Sequence, residues 1–502
     1  MRSLYRATRV RTFSHPSEGE WLLVDDRHVQ RVGLGEPPEA DRIVDLPGTV
    51  IIPGLIDAHV HLTGTGLQRA GPDLGTARSK DDLLGLLRDA SAATDGPVLA
   101  HGYDETAWGQ PGLPSIEDLD AVSGEAVIAV RADGHISLAN SAAIAASDVT
   151  EAAGAERGPD GRPTGVLRTE ANGAAQRWFH SSLPDHRIEQ YQLEAAGLAA
   201  SRGVTCVHEM AIPDWRGRRD VEVLLAQRTK LPVDVVTYVA TTDIPFVMDL
   251  GLSRIGGDLP LDGSIGARTA HLSEPYVDAD HSGSGYLEDD ELMEFLHNAH
   301  LAGLQVGMHV IGDAAIDQAV GCWERVYGAL ETRARRHFRA RRHRLEHFEM
   351  ASERQIERAA MLGLAVSVQP TFDALWGHPG GMYEQRLGEK RARDMNPFAT
   401  LLSRGIEVGV GSDSPVTPLD PWEGVRALES HHELTQRLSR QDALRLFTAG
   451  SARLANLDDK KGRLEPGAQA DFACYEVDPM TSSVDELRPV LTVSLGREVY
   501  AR

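Results

Sequence analysis

His59 and His61 stand one residue apart at the end of an apolar run, "VIIPGLIDAHVHL" (50–62). Side chains at i and i+2 of a strand share a face. The pair therefore predicts two imidazoles converging at a strand tip, an arrangement that suits a divalent metal. Three further residues extend the pattern: His309 closes "LQVGMHV", His347 closes "RHRLEH", and Asp413 follows "VGVGS". Four histidines and an aspartate give the nitrogen and oxygen donors expected around zinc or a similar first-row ion, as one ion or two. Isolated buried imidazoles and carboxylates are costly, so residues sharing one rim point to a shared ligand. A metal held by His59 and His61 would lower the pKa of bound water towards ~7. Asp413 would accept that water's proton and pass it to the leaving atom, as a positioned carboxylate can.

Such residues need elements that bring them together. Apolar, β-branched runs that break off at polar residues recur along the chain: "GVTCVHEM", "LPVDVVTYV", "LQVGMHVIGD", "RHRLEHFEM", "GLAVSVQPTF" and "IEVGVGSDSP". Helical patterns such as "LEDDELMEFLHNAHLAG" and "ASERQIERAAMLG" separate them. With "VIIPGLIDAHVHL" first and a fourth strand near "GDLPLDGSIGARTA", the count reaches eight. The expected class is α/β, a (β/α)8 TIM-type barrel with its chemistry at the C-terminal strand ends. Short strands near both termini predict a small composite β-sandwich. The expected organisation is a sandwich from 1–50 and 455–502, a barrel from 51–64 and 201–454, and an insertion near the active site from 65–200.

Composition narrows the function classes. The 502 residues are 41% hydrophobic and 25% charged, and no run approaches the ~18 uninterrupted apolar residues of a membrane span. The arginine-bearing N-terminus has no apolar core behind it and makes a poor signal peptide. Cys206, Cys322 and Cys474 are scattered and form no CxxC pair, which fits a reducing, cytoplasmic setting. A net charge of −23 opposes nucleic-acid and anionic-membrane partners. The expected partner is a small-molecule substrate, and a homo-oligomer is compatible. One dense basic run, "RARRHFRARRHR" (333–344), predicts a solvated helix face or loop.

Several longer motifs bear a family likeness: "IPGLIDAHVHL", "HGYDETAW" (101–108), "RADGHISLANSAAI" (131–144), "GRPTGVLRTEA" (161–171), "DGSIGARTAHLSEPY" (262–276), "HVIGDAAID" (309–317), "RLEHFEM" (344–350) and "GSDSPVTPLDP" (411–421). They cover nearly the whole chain, and together the sequence resembles the amidohydrolase superfamily. The resemblance is to its YtcJ-like branch of metal-dependent hydrolases, which includes N-substituted formamide deformylase. It implies hydrolysis of a C–N bond (amide, formamide or cyclic amide), His309 as a metal ligand, and His347 as a ligand or a contact to the substrate oxygen. Many superfamily members bridge two metals with a carboxylated lysine, and related chains often carry lysine four residues before "DG". This chain has Asp258 there, and none of Lys80, Lys230, Lys390, Lys460 and Lys461 ends an apolar run. Glu170, in "GVLRTEAN", resembles the branch's "GxLxEA" signature with Thr169 as one extra residue. Glu170 is therefore the expected bridging ligand, with Asp258 the alternative.

Other residues are candidates for substrate contact. Arg131, Asp133 and His135 follow the strand-like "AVIAV", and Arg268 lies in "GARTA"; an arginine there serves equally well in a structural ion pair. Gln369, Phe372 and Trp376, just past strand seven, are candidate substrate walls or core. His208 and Glu209 are candidates for orienting ligands, and Asp313 for a helix cap. The same metal site would also serve deamination, decarboxylation or isomerisation, and a non-catalytic ligand-binding relative would share the fold. Product analysis separates these readings.

Overall fold

A computed structural model describes residues 1–105, 108, 112–131 and 136–502. The chain divides into two units, one of residues 1–62, 196–212 and 226–502, the other of 63–195 and 213–225.

In the first unit the apolar runs form eight parallel strands: β1 (Leu55–Val60), β2 (Val204–Ala211), β3 (Asp234–Val239), β4 (Arg254–Ile255), β5 (Gln305–Val310), β6 (Arg344–His347), β7 (Ala365–Val368) and β8 (Glu407–Val410). They pair in two sheets, ordered β3-β2-β1 and β4-β5-β6-β7-β8. Hydrogen bonds join the sheets' ends as well. Gly256 N donates to Val239 O at 2.7 Å, Asp413 N to His59 O at 2.8 Å, and His61 N to Ser414 O at 2.8 Å. Every residue of β1, β2, β6 and β7 is buried, as parallel strands covered on both faces require. Between strands, helices start and stop on local signals. Ser352 and Gln355 form a capping box at the start of Glu353–Leu362, and Gly363 ends that helix at φ +75°.

The fourth strand differs from expectation. It is Arg254–Ile255, before the segment 257–270, which is not strand. Gly256 and Gly257 end it at φ +78° and +69°, and a Cβ on Gly256 would lie 2.0 Å from Gly307 O. Only glycine permits that approach in that conformation. The following loop runs beside β5, with His309 N donating to Leu259 O at 2.9 Å and Leu261 N to His309 O at 3.1 Å. Asp258 is thereby held at the C-terminal end of β4.

The chain's two ends share one continuous seven-stranded sheet. Its long strand Arg42–Pro53 lies between the parallel Arg2–Arg11 and the antiparallel Phe472–Tyr475. Tyr5, Leu22, Ile51, Phe472 and Val493 belong to one buried cluster that holds it.

The second unit carries a five-stranded sheet of its own: Val98–Tyr103, Val127–Arg131, Ile136–Ala139, Pro163–Arg168 and Ala155–Arg157, in that order. Val127 and Ala129 enter one apolar cluster while Ile128 and Val130 enter another. The period of two thus buries both faces. The basic run of the first unit forms a helix, Thr332–Arg341, exposed along most of its length. Among the described residues no helix is long and apolar enough to cross a membrane.

Candidate metal centre

The strand ends of the first unit bring His59, His61, His309, His347 and Asp413 together, and Asp258 stands among them. Its carboxylate oxygens lie 3.0 Å from His309 Nδ1, 3.3 Å from His347 Nε2, 3.6 Å from His61 Nε2 and 3.8 Å from His59 Nε2. Asp413 Oδ1 lies 3.1 Å from His61 Nε2 and 3.4 Å from His59 Nε2. Two overlapping groups of donor atoms result, His59–His61–Asp413 and His59–Asp258–His347. His309 joins through Asp258 and also contacts Gly263 O through Nε2 at 3.2 Å.

The electrostatics of this cluster call for positive charge. Burial disfavours the imidazolium form of His59, yet Asp413, Asp258 and Glu346 outweigh it and raise the pKa to about 9. His309 is likewise raised to about 10 against its burial, chiefly by the hydrogen bond and charge of Asp258. Asp258 is held well below the usual carboxylate range, its burial overcome by His309, His347 and His59. Asp413 is lowered against its burial by His59 and His61. Carboxylates that hold imidazoles protonated would accept a cation in place of those protons. His59 Nε2 and Asp413 Oδ1 are buried with no hydrogen-bond partner, although they face each other. Orphaned donor atoms of this kind, with oxygen and nitrogen but no sulfur around them, fit a divalent first-row ion.

Neighbouring groups fix the ring orientations. His59 Nδ1 meets Glu346 Oε2 at 3.0 Å and His61 Nδ1 donates to Met210 O at 2.8 Å, so both Nε2 atoms turn to the cluster. Glu346 is bound in turn by Arg344, through Nε to Oε1 and Nη2 to Oε2, each 2.8 Å. Arg344 also donates to Ala58 O at 2.9 Å and to His208 Nδ1 at 3.0 Å. Arg344 and Glu346 are both 0% exposed, so neither charge can fall back on water, and breaking such a pair costs ~3–5 kcal/mol. Burial and the Arg344 charge hold His208 well below its ordinary pKa, which fixes it as a neutral acceptor. Glu209 accepts from Leu62 N at 2.6 Å and so holds the turn after His61. Asp57 accepts from His59 N at 3.2 Å and Ser412 N at 2.9 Å, tying β1 to the loop that carries Asp413. His347 and Asp413 sit at φ +68° and +56°. Strain of this kind in non-glycine residues gathers at functional sites.

The other candidates are placed differently. Glu170 belongs to the second unit, where it is exposed in the first turn of helix Thr169–Ser182; within the first unit the carboxylate that meets the histidines beside Asp413 is Asp258. Arg131, also in the second unit, is bound to Glu105 at 2.8 Å and Asp104 at 3.4 Å. Asp133 and His135 lie outside the described residues. Arg268 makes a two-pronged pair with Asp278, at 2.9 and 2.6 Å, that Arg386 shares. Both arginines are therefore held by carboxylates. Gln369 is buried with Oε1 unbonded, and Phe372 lies parallel to the His347 ring at 6.0 Å between centroids. Trp376, half-buried, packs on Phe372 at 4.8 Å. Asp313 binds Ser273. In a separate group, Asp373, His431 and His432, His431 meets Asn396 O at 3.0 Å and accepts from Glu433 N at 3.0 Å, which occupies both nitrogens of its ring.

Glu346, Arg344 and Asp57 were not singled out in the sequence. Their signal was available in part, since each lies within three residues of a candidate ligand inside an apolar run.

The chain is similar to known proteins. The amidohydrolase family model matches residues 42–500. YtcJ of Bacillus subtilis (strain 168) is 28% identical over 540 residues, covering 96% of this chain and 96% of its own. N-substituted formamide deformylase of Arthrobacter pascens is 23% identical over 494 residues, covering 90% and 88%. Among solved structures, an uncharacterised metal-dependent hydrolase from Pyrococcus horikoshii OT3 superposes with a TM-score of 0.82 at 27% identity, covering 97% of this chain and 99% of that one.

Proposed function

The chain belongs to the amidohydrolase family, and from that membership we propose that this metal-dependent hydrolase cleaves a carbon–nitrogen bond of an amide, formamide or cyclic amide. The observation that carries the proposal is the meeting of Asp413 with His59 and His61 at 3.4 and 3.1 Å, beside Asp258 among the four imidazoles. In the same reading the eight parallel strands close into one (β/α)8 barrel through the hydrogen bonds that join the ends of β3 and β4 and of β8 and β1. Zinc as the ion and the cytoplasm as the location belong to the proposal as well.

His59, His61, His309, His347, Asp258 and Asp413 would hold the ion or ions. A divalent ion there supplies a nucleophile from water near neutral pH and polarises a carbonyl. Asp413 keeps its carboxylate ionised, takes the proton of the attacking water and delivers it to the departing nitrogen. Glu346 and Met210 O keep the two rings aimed, and Phe372 stacked on His347 excludes water from one side. The N-substituted formamide deformylase relative supports a C–N bond as the target. The test is a library of amides, formamides and cyclic amides given to the metal-replete enzyme, with products identified by mass spectrometry. Release of an amine with a carboxylate, or of the ring-opened acid, is expected. Ammonia alone, or a product of unchanged mass, would replace this reading with deamination or isomerisation.

The bridging carboxylate has its own test. Two cations close together need an anion between them, and Asp258 is proposed for that role on its approaches of 3.0 Å to His309 and 3.3 Å to His347. Asp258→Asn is expected to lower metal stoichiometry or weaken one metal by ~10-fold or more, since a direct ligand should exceed the lower end of outer-sphere effects. Glu170→Gln should leave metal content as it was. Metal analysis after dialysis reads both, and the reverse pattern would return the bridge to Glu170.

A further inference from the structure

We propose that the N-terminal ends of β4 and β5 form a second site, which binds a small phosphate-bearing anion through Arg254 and Arg341. A cavity of about 250 Å³ opens there, lined by Arg254, Gln305, His337, Arg341 and Asn456 among others. It lies at the opposite ends of these strands from Asp258 and His309, away from the metal centre.

Its polar walls are already tied down. Gln305 donates to Arg342 O at 2.6 Å and Leu454 O at 2.7 Å and accepts from Tyr238 at 2.8 Å. Asn456 donates to Arg341 O at 3.2 Å and accepts from Arg342 at 2.9 Å. The two guanidiniums are different. Arg254 donates to Ala455 O at 2.5 Å and lies over the Tyr238 ring at 5.9 Å. Arg341 donates to Gly303 O. Neither has a carboxylate within ion-pair distance among the described residues, and the Nε of each is buried without a hydrogen-bond partner. The one influence on the Arg341 pKa is burial, which lowers it.

Their neighbours show that acids were at hand. Arg342, next in sequence, pairs with Asp458 and Glu407, both at 2.8 Å, and Arg453 takes Glu407 at 2.9 Å. In a chain with 74 acidic and 51 basic residues, two uncompensated guanidiniums on one cavity are a local exception. The exposed helix Thr332–Arg341 adds His337 to the rim and further arginines beyond it. The chain's overall negative charge does not oppose this, because charges beyond ~8 Å are largely screened at physiological salt. Planar guanidinium forks match phosphate oxygens, and the volume takes inorganic phosphate or a small phosphomonoester.

Calorimetric titration of the metal-replete protein with inorganic phosphate, and separately with glycerol phosphate, tests this, with chloride at matched ionic strength as the blank. Saturable binding of phosphate is expected, equal for both ligands if free phosphate is the occupant and tighter for the ester if an organic phosphate is. Arg254→Gln and Arg341→Gln should each weaken binding by ~10-fold or more, the loss of one charge-assisted contact. Arg336→Gln, on the same helix but off the cavity, should bind as the parent does. Arg341→Lys keeps charge without the fork, and intermediate binding by this variant would answer any loss of folding in the glutamine variants. Metal content and circular dichroism verify each variant. No saturable heat with the parent protein would overturn the site. So would phosphate binding that Arg341→Gln leaves unmoved, which would place it at the metal centre, or equal losses in Arg336→Gln.

Discussion

Alanine at both His59 and His61 is expected to strip the purified protein of its metal and abolish activity, while its circular dichroism stays that of the parent. The double substitution leaves only Asp413 of the group His59–His61–Asp413 and only Asp258 and His347 of the other, so each falls below the roughly three protein ligands that hold a catalytic ion. The fold should survive because the buried pair behind the rings keeps its own bonds. Glu346 loses His59 but retains two hydrogen bonds from Arg344, at 2.8 Å each, so its charge is not stranded. Met210 O loses the His61 ring, and water can enter the polar space the rings vacate. Elemental analysis alongside turnover is the measurement. Full activity in a rigorously metal-free sample would end the metal-dependent account of this site.

Asp413→Asn separates catalysis from binding. Asparagine nearly preserves the shape but cannot take a proton, so turnover should fall by ~100-fold or more, the usual contribution of a general base. Asparagine also suits the backbone. Asp413 sits at φ +56°, a left-handed conformation that asparagine tolerates better than most residues, so a local rearrangement is not expected to confuse the result. Metal content should change far less, since His59, His61, His309, His347 and Asp258 remain. Turnover equal to the parent at neutral pH, in a sample with equal metal, would remove Asp413 from proton transfer.

What the sequence determined by itself follows from short periods and abrupt ends. The HxH pair was legible because a strand alternates every two residues, and His309, His347 and Asp413 because each stops an apolar run that has to be buried. The parallel strands, the helices between them and the capped helix after Ser352 were readable on the same local grounds. Only the tertiary structure brought Asp258 to the imidazoles. In sequence it is a single acid near a glycine-containing motif. β4 stops after two residues at a Gly256–Gly257 turn packed against Gly307, which delivers Asp258 to four imidazoles. Glu346 was hidden for a related reason. Alternation places adjacent Glu346 and His347 on opposite faces, yet both serve the same cluster, one through His59 and the other through Asp258. The φ of +68° at His347 breaks the alternation at the strand's last residue. A left-handed turn of that kind is sustained by the packing and hydrogen bonds around it, which a pattern of residue types does not contain.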